Sequence, residues 1–400
     1  MHCTKKVTDS VIWVGANDRR LSLFENLFPI PEGVSYNSYV IVDEKTALMD
    51  TVDSGSSRQF LENVDYALNG RKLDYLVVNH MEPDHGASIE EVLRRYPEVV
   101  MVGNVKTIAM MKQFFDIDLT GRTLEVKEGE TLSLGSHSLT FVMAPMVHWP
   151  EVMVSYESSE KILFSADAFG TFGALNGHLF NDEYHFERDW LTRARRYFTN
   201  IVGKYGPQVQ TLLKKAVGLD IQVICPLHGP VWRSDLGWFI EKHQQWSTYQ
   251  PEKKGVLIVY GSMYGNTENT ANVLASMLAE EGVEEISLYD VSQTDVSYLI
   301  ADAFCYSHIV LASPTYNGGI YPAMEHFILD MKALNLQNRT VALIDNGTWA
   351  PVAAKQMAKA MEGMKNITML EPISIKSALK ENQEESMRQL AQAIAQGVLE

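Results

Sequence analysis

The stretch LVVNHMEPDHGAS, residues 76–88, sets His80, Glu82, Asp84 and His85 within six positions, directly after an apolar run. His80 and Glu82 stand two apart in a segment leaving a strand, so their side chains point to the same side. Asp84 and His85 follow at a turn into a helix opened by Gly86, Ala87 and Ser88, and the four side chains can converge on one spot. Such a mixture of imidazole and carboxylate is a metal-ligand set, although a surface loop can carry it by chance. Three later stretches add weight. LTFVMAPMVHWPE delivers His148, KILFSADAFG delivers Asp167 and IQVICPLHGPVW delivers His228, each just past the C-terminal end of an apolar strand, where a rigid scaffold gathers loops. A lone histidine is more often a hydrogen-bonded packing residue and a lone aspartate a turn or cap residue. Three in order, each after a strand, read as ligands. His2, His137, His178, His185, His243, His308 and His326 lack such company and read as structural.

The donors are nitrogen and oxygen only. Cys3, Cys225 and Cys305 are far apart and form no C-x-x-C pair, so neither a disulfide framework nor a thiolate site is suggested. Carboxylates Glu82, Asp84 and Asp167 with imidazoles His80, His85, His148 and His228 suit two iron or manganese ions as well as zinc. The added negative charge favours a higher metal oxidation state, although carboxylate-rich zinc sites also exist.

A second set follows the apolar run VLIVY. In GSMYGNTENTA, residues 261–271, Gly261 and Gly265 permit tight turns, and Ser262, Met263, Tyr264, Asn266 and Thr267 surround the start of a helix. Backbone N–H groups and the helix dipole favour a phosphate there. The loop is neither a Walker loop nor G-x-G-x-x-G. SPTYNGG, with Pro314, Thr315, Tyr316, Asn317 and Gly318, and DNGTWAP, with Asn346, Gly347, Thr348 and Trp349, are glycine-bearing and aromatic. Both suit gripping a flat ring at the switch point of a sheet.

These sets need two scaffolds, and 400 residues support two domains. Residues 36–52 read as a hairpin turning at Asp43, Glu44 and Lys45, with further strands at 74–79, 139–144, 161–165 and 221–225 and helices at 88–95 and 208–217. The polar stretch QWSTYQPEKKG, residues 245–255, reads as the seam, giving domains 1–250 and 251–400. Beyond it, strands at 256–260, 286–289, 308–312, 340–344 and 367–375 alternate with amphipathic helices, the pattern of a doubly wound parallel sheet. The whole is α/β. Hydrophobic residues make up 46% and charged residues 21%, a globular composition. A net charge of -16 argues against a nucleic-acid partner, and the absence of a leader-like start or a bilayer-length apolar run predicts a soluble cytoplasmic protein.

The first half resembles the metallo-β-lactamase fold, an αββα sandwich whose signature is H-x-H-x-D-H followed by a distant His, Asp and His. Here Glu82 replaces the second histidine. The second half resembles a flavodoxin, with FMN phosphate on residues 262–267 and isoalloxazine between the two later loops. In this order the chain resembles the flavodiiron proteins, also called A-type flavoproteins. That resemblance implies two Fe ions, one on His80, Glu82 and His148, the other on Asp84, His85 and His228, with Asp167 bridging; it leaves the coordination of His85 open. It further implies reduction of dioxygen to water or nitric oxide to nitrous oxide, and a head-to-tail homodimer. It also implies an external electron donor such as rubredoxin, since the chain has no cysteine pairs for a fused one. Tyr197 matches a tyrosine near the diiron pocket, a candidate catalytic residue, and Phe24 lies where members often carry a pocket histidine. A binuclear zinc hydrolase with an accessory flavodoxin module, and an electron-transfer or sensor protein with a structural metal site, are the competing readings.

Overall fold

In the computed structural model, which describes residues 1–400, the chain divides into two compact units. Met1–Phe198 and Pro207–Gln244 form the first; Thr199–Gly206 and Gln245–Glu400 form the second.

The first unit holds two large sheets beside two two-stranded ones, Ala16–Asp18 with Val34–Tyr36 and Leu23–Phe24 with Phe28–Pro29. One has seven strands in the order Lys5–Lys6, Val11–Trp13, Tyr39–Val42, Thr46–Met49, Tyr75–Val77, Val100–Gly103 and Thr123–Glu125. The other has five, Thr131–Ser133, Ser138–Met143, Met153–Glu157, Ile162–Phe164 and Val223–Cys225. The expected hairpin pairs Tyr39 with Met49 and Val42 with Thr46. Asp43 shapes its turn by accepting from Glu44 N at 2.8 Å. Helix Ser57–Leu68 buries Phe60, Asn63, Val64, Ala67 and Leu68, one stripe at helical spacing, and ends at Asn69 in the left-handed region. Helix Val105–Phe114 begins where Asn104 Oδ1 accepts from the N–H groups of Lys106 and Thr107. Strand Met153–Glu157 is buried at every position, so the sheet centre is closed on both faces.

The second unit is a parallel sheet in the order Ile286–Asp290, Lys253–Tyr260, Tyr306–Pro314, Arg339–Asn346, Ile367–Met369. Alternate residues of its strands feed opposite layers. Leu257, Val259, Ile309 and Leu311 pack with Leu299, Phe304, Phe327 and Met357 of three helices. Val256, Ile258, Val310 and Ala312 pack with Leu274, Leu278, Leu390 and Ile394 of two others.

Three local expectations differ. The seam is more regular than its composition suggests: helix Leu236–Ser247 runs into it, and the next strand begins at Lys253. Trp246, fully buried, anchors that last turn despite polar neighbours. The strand expected over 367–375 is two, Ile367–Met369 and Ile373–Ile375, both paired to Arg339–Asn346, because Pro372 between them has no N–H for the ladder. Asp84 and His85 lie inside a short helix, Pro83–Gly86, that starts at the proline before the glycine. No helix is long and apolar enough to cross a membrane.

Arg339 is 2% exposed and has no carboxylate partner. Its guanidinium donates instead to the carbonyls of Ala303 at 2.9 Å, Phe304 at 2.7 Å, Tyr249 at 2.8 Å and Gln337 at 2.8 Å, satisfying the last turn of helix Val296–Cys305. Arg339→Met keeps the apolar stem and strands these acceptors. It should destabilise the second unit by about 2–4 kcal/mol, read as a lower melting temperature by flavin-region circular dichroism.

Candidate metal centre

Seven donor side chains from four segments, each following a strand, meet in the first unit. His80 and Glu82 leave strand Tyr75–Val77, Asp84 and His85 occupy the following helical turn, and His148, Asp167 and His228 follow strands Ser138–Met143, Ile162–Phe164 and Val223–Cys225. They separate into two groups. In the first, His80 Nε2 lies 3.2 Å from Glu82 Oε2 and 3.2 Å from Asp167 Oδ2, while His148 Nε2 lies 2.9 Å and 3.3 Å from the same two oxygens. In the second, His85 Nε2 lies 3.3 Å from Asp84 Oδ2 and His228 Nε2 3.1 Å from it. The other oxygen of Asp167, Oδ1, lies 3.1 Å from His85 Nε2 and 3.6 Å from His228 Nε2. One carboxylate thus spans both groups, an oxygen to each.

Several contacts make poor chemistry unless positive charge sits among them. His85 Nε2 and His228 Nε2 are 3.0 Å apart. His228 Nδ1 donates to Ser35 O at 2.7 Å, so in the neutral ring its Nε2 is a lone pair. Both oxygens of Asp84 and of Asp167 are buried without a hydrogen-bond donor. Donors about 2.1 Å from a shared cation, at right angles, lie about 3 Å apart, matching this spacing. The residues therefore fit two cations held by nitrogen and oxygen.

The electrostatics agree. Burial would raise the Asp167 carboxyl, yet His85 and His80 hold it well below the usual carboxylate range. Burial would depress His80, but Asp167 pushes it well above the ordinary imidazole value, helped by Glu151 and Glu82. For His148, burial is likewise outweighed, and the nearby carboxylates of Asp167 and Glu82 raise it to about 9. Without metal, the cluster draws its compensating charge from protons on its imidazoles.

Further residues complete the site. Glu151, 1% exposed, accepts from His80 Nδ1 at 2.8 Å and Met81 N at 2.9 Å. Asp50 accepts from Asn79 N at 2.7 Å and His80 N at 3.2 Å, and burial raises its carboxyl to about 6. Glu25 is exposed as a whole residue, but its carboxyl meets Glu82, and burial followed by the Glu82 charge raises it to about 8. None was singled out from sequence. Glu151 stands three residues after His148 in HWPE, the one available cue, whereas Glu25 sits on a polar turn like any other. Phe24 meets the His228 ring edge-on at 5.4 Å, and Tyr197 lies 5.4 Å from the same ring. Tyr197 Oη is buried without a hydrogen-bond partner. Burial, then Asp167, raises this phenol well above its ordinary value, so it stays a donor. A Cβ at Gly170 would stand 2.8 Å from the Tyr197 ring, so the glycine three residues past Asp167 admits it. Of the histidines read as structural, His137 has company after all. It hydrogen-bonds Asp43 at 3.0 Å and Ser10 at 3.0 Å beside Glu157 and Glu160, whose oxygens are taken up by Thr8, Ser10 and backbone N–H groups.

In the second unit, Ser262, Met263, Tyr264, Asn266, Thr267, Pro314, Thr315, Tyr316, Asn317, Gly318, Asn346, Gly347, Thr348 and Trp349 line one cavity of about 510 Å³, together with Ala350 and Ser377, which the sequence reading omitted. Gly265 lies behind it, at φ 87° as the residue before helix Asn266–Glu280, a conformation that favours glycine. The free N–H groups of that first turn suit a phosphate. Trp349 is 90% exposed and Tyr316 40%, so two aromatic faces stand open to a flat ring. Volume, helix start and aromatics fit FMN.

Comparison with known proteins gives the same two parts. Residues 34–229 match the ODP family beta lactamase domain and residues 258–390 the flavodoxin domain. A rubredoxin-oxygen oxidoreductase from Megalodesulfovibrio gigas is 31% identical over 399 residues, 98% of each chain. A nitric oxide reductase from Moorella thermoacetica is 31% identical over 369 residues, 92% of this chain and 91% of that one. The crystal structure of the flavodiiron protein from Giardia intestinalis superimposes with a TM-score of 0.90 at 25% identity, covering 100% of this chain and 97% of that one. With both domains in this order and end-to-end relatives, the chain belongs to the flavodiiron protein family.

Proposed function

We propose that this chain reduces dioxygen to water, nitric oxide to nitrous oxide, or both, at a diiron centre, drawing electrons through FMN from an external donor such as rubredoxin. The observation that carries the reading is Asp167, one oxygen toward His80 and His148 and the other toward His85 and His228, with Glu82 where a zinc hydrolase keeps an imidazole. The names of two relatives, an oxygen oxidoreductase and a nitric oxide reductase, support it. When bound, iron and flavin supply the electrons that the gas receives.

The remaining work falls to the chain. His80, Glu82 and His148 would hold one ion, Asp84, His85 and His228 the other, and Asp167 both. Carboxylate charge from Glu82, Asp84 and Asp167 favours the oxidised ions over zinc-type Lewis acidity. Phe24 and Tyr197 wall the pocket with aromatic surface that excludes water around a small neutral gas. The Tyr197 hydroxyl, kept protonated, would offer a hydrogen bond toward the pocket. In the second unit, the N-terminus of helix Asn266–Glu280 would hold the flavin phosphate and Tyr316 and Trp349 its ring. A division of labour at 1–250 and 251–400, cytoplasmic residence and head-to-tail pairing of two copies belong to the same proposal.

The test is anaerobic turnover of each gas with a chemical or rubredoxin donor, with iron and flavin determined on the same sample. Iron, FMN and gas consumption together support the reading. A colourless, zinc-only protein inert to both gases rejects it, and reversible flavin reduction without turnover of either gas makes the metal site structural.

Glu82→His restores the hydrolase ligand. It should shift metal content toward zinc and abolish gas reduction with FMN occupancy unchanged; an iron-loaded, active variant contradicts the role given to this carboxylate.

Metal uptake should depend on pH in a set direction. The folded value of His148, about 9, lies above the ordinary 6.5. In the metal-free chain its protonated form therefore stabilises fully below 6.5, and that contribution is lost as pH rises through about 9. A metal ion must displace this proton. Affinity of the metal-free chain for Co(II) should rise with pH across that window, up to about tenfold per pH unit for each proton displaced. Titrations giving one affinity throughout would contradict it.

A further inference from the structure

The two groups of donors are supported differently from behind. A ring nitrogen that faces a metal is oriented and made more basic by whatever the other ring nitrogen donates to. For His80 that acceptor is a carboxylate, Glu151 Oε1 at 2.8 Å, 1% exposed, with its second oxygen buried and unpaired. Its full negative charge is thus directed at His80, and Met81 N holds the accepting oxygen in place at 2.9 Å. The His80 backbone N–H, donating to Asp50 at 3.2 Å, fixes the same residue from its other end. Across Asp167, His228 Nδ1 donates to a neutral carbonyl, Ser35 O at 2.7 Å. His85 Nδ1 is buried with no hydrogen-bond partner, and the Asp50 carboxylate acts on this ring only through space. One group therefore has a buried anion one hydrogen bond behind its imidazole; the other has an amide dipole and a ring that no hydrogen bond holds from behind.

Resting on the dinuclear reading above, we propose that Glu151 is a positioning residue that makes the two metal positions unequal, so that the ion held by His80, Glu82 and His148 binds first and leaves last. Glu151 acts through His80. It selects the tautomer that presents Nε2 to the ion, prevents the ring from rotating away, and adds negative charge that the metal senses through the imidazole. His85, lacking any such support, makes the position it shares with Asp84 and His228 the labile one.

The experiment uses the full chain with FMN bound and metals removed by chelation. Adding one equivalent of isotopically enriched Fe(II) anaerobically should give a single Mössbauer quadrupole doublet, and a second equivalent should add a different one. Chelator should then remove the two ions in two phases. Glu151→Gln keeps size and an oxygen acceptor for Met81 N but discards the charge. In it, the first equivalent should distribute over both positions, and affinity for the first ion should fall about 10–100-fold. Glu151→Ala, which also frees the ring, should fall further, and Glu151→Asp should recover part of the loss. FMN content and far-ultraviolet circular dichroism confirm that each variant is folded. Two doublets from the first equivalent in the unaltered chain, or a single doublet and unchanged affinity in Glu151→Gln, would overturn the proposal. A chain that never takes up a second ion fails differently, since it removes the dinuclear reading itself.

Discussion

Lone pairs that face lone pairs govern the first unit. Seven buried or nearly buried donors aim at two small volumes, with His85 Nε2 and His228 Nε2 3.0 Å apart and the carboxylates of Asp84 and Asp167 lacking any hydrogen-bond donor. Removing such charges from water costs several kcal/mol each unless opposite charge is close by. Only protons or metal ions can supply it here, so the fold must hold this arrangement by other means until they do. The means are visible around the site. Strands buried on both faces fix the loop ends, and Asp50, Glu151 and Ser35 O restrain the ligands from behind. Met146, Ala166 and Phe169 adopt left-handed backbone within two residues of His148 or Asp167, at about 1–3 kcal/mol each. Stored strain and unsatisfied charge at one place are the mark of a site kept for chemistry.

The second unit solves an opposite problem. A flavin phosphate already carries charge, so its host needs only neutral donors, and the first turn of helix Asn266–Glu280 provides them without any buried ion. Its loops follow strands Lys253–Tyr260, Tyr306–Pro314 and Arg339–Asn346 at their C-terminal ends, where neighbouring crossovers diverge and leave a crevice. Both units place function beyond strand ends for one reason: the sheet fixes where each loop starts, and the loop is then free to vary in residue type. A metal cluster that changes oxidation state and a carrier of electrons complement one another in a single chain, which a hydrolytic reaction would not require.

Much of this was legible residue by residue. All seven donors that meet in the first unit are side chains whose type and place after a strand single them out, and the loops that line the cavity of the second unit stand out by glycine beside Tyr316 and Trp349. The seam was read too loosely because Gln, Ser and Thr dominate it, while burial of Trp246 extends the helix to Ser247. Asp84 and His85 were placed before a helix rather than within one, since Pro83, not Gly86, begins it. Ala350 and Ser377 entered the flavin cavity unannounced, Ser377 from a separate loop far along the chain.

Local pattern determined which side chains are candidate donors, because a metal selects atom types and strands select spacing, and both are written in order along the chain. It also determined the two-part α/β organisation, since hydrophobic periodicity is a local property. Pairing across the fold was decided only in three dimensions. That Asp167 divides its oxygens between two groups, that Glu151 stands behind His80 while no hydrogen-bond acceptor stands behind His85, and that Glu25 reaches Glu82 from another loop are relations between segments up to 87 positions apart, set by packing alone. No local rule encodes them, because a hydrogen bond or charge contact depends on where the sheets bring distant loops together.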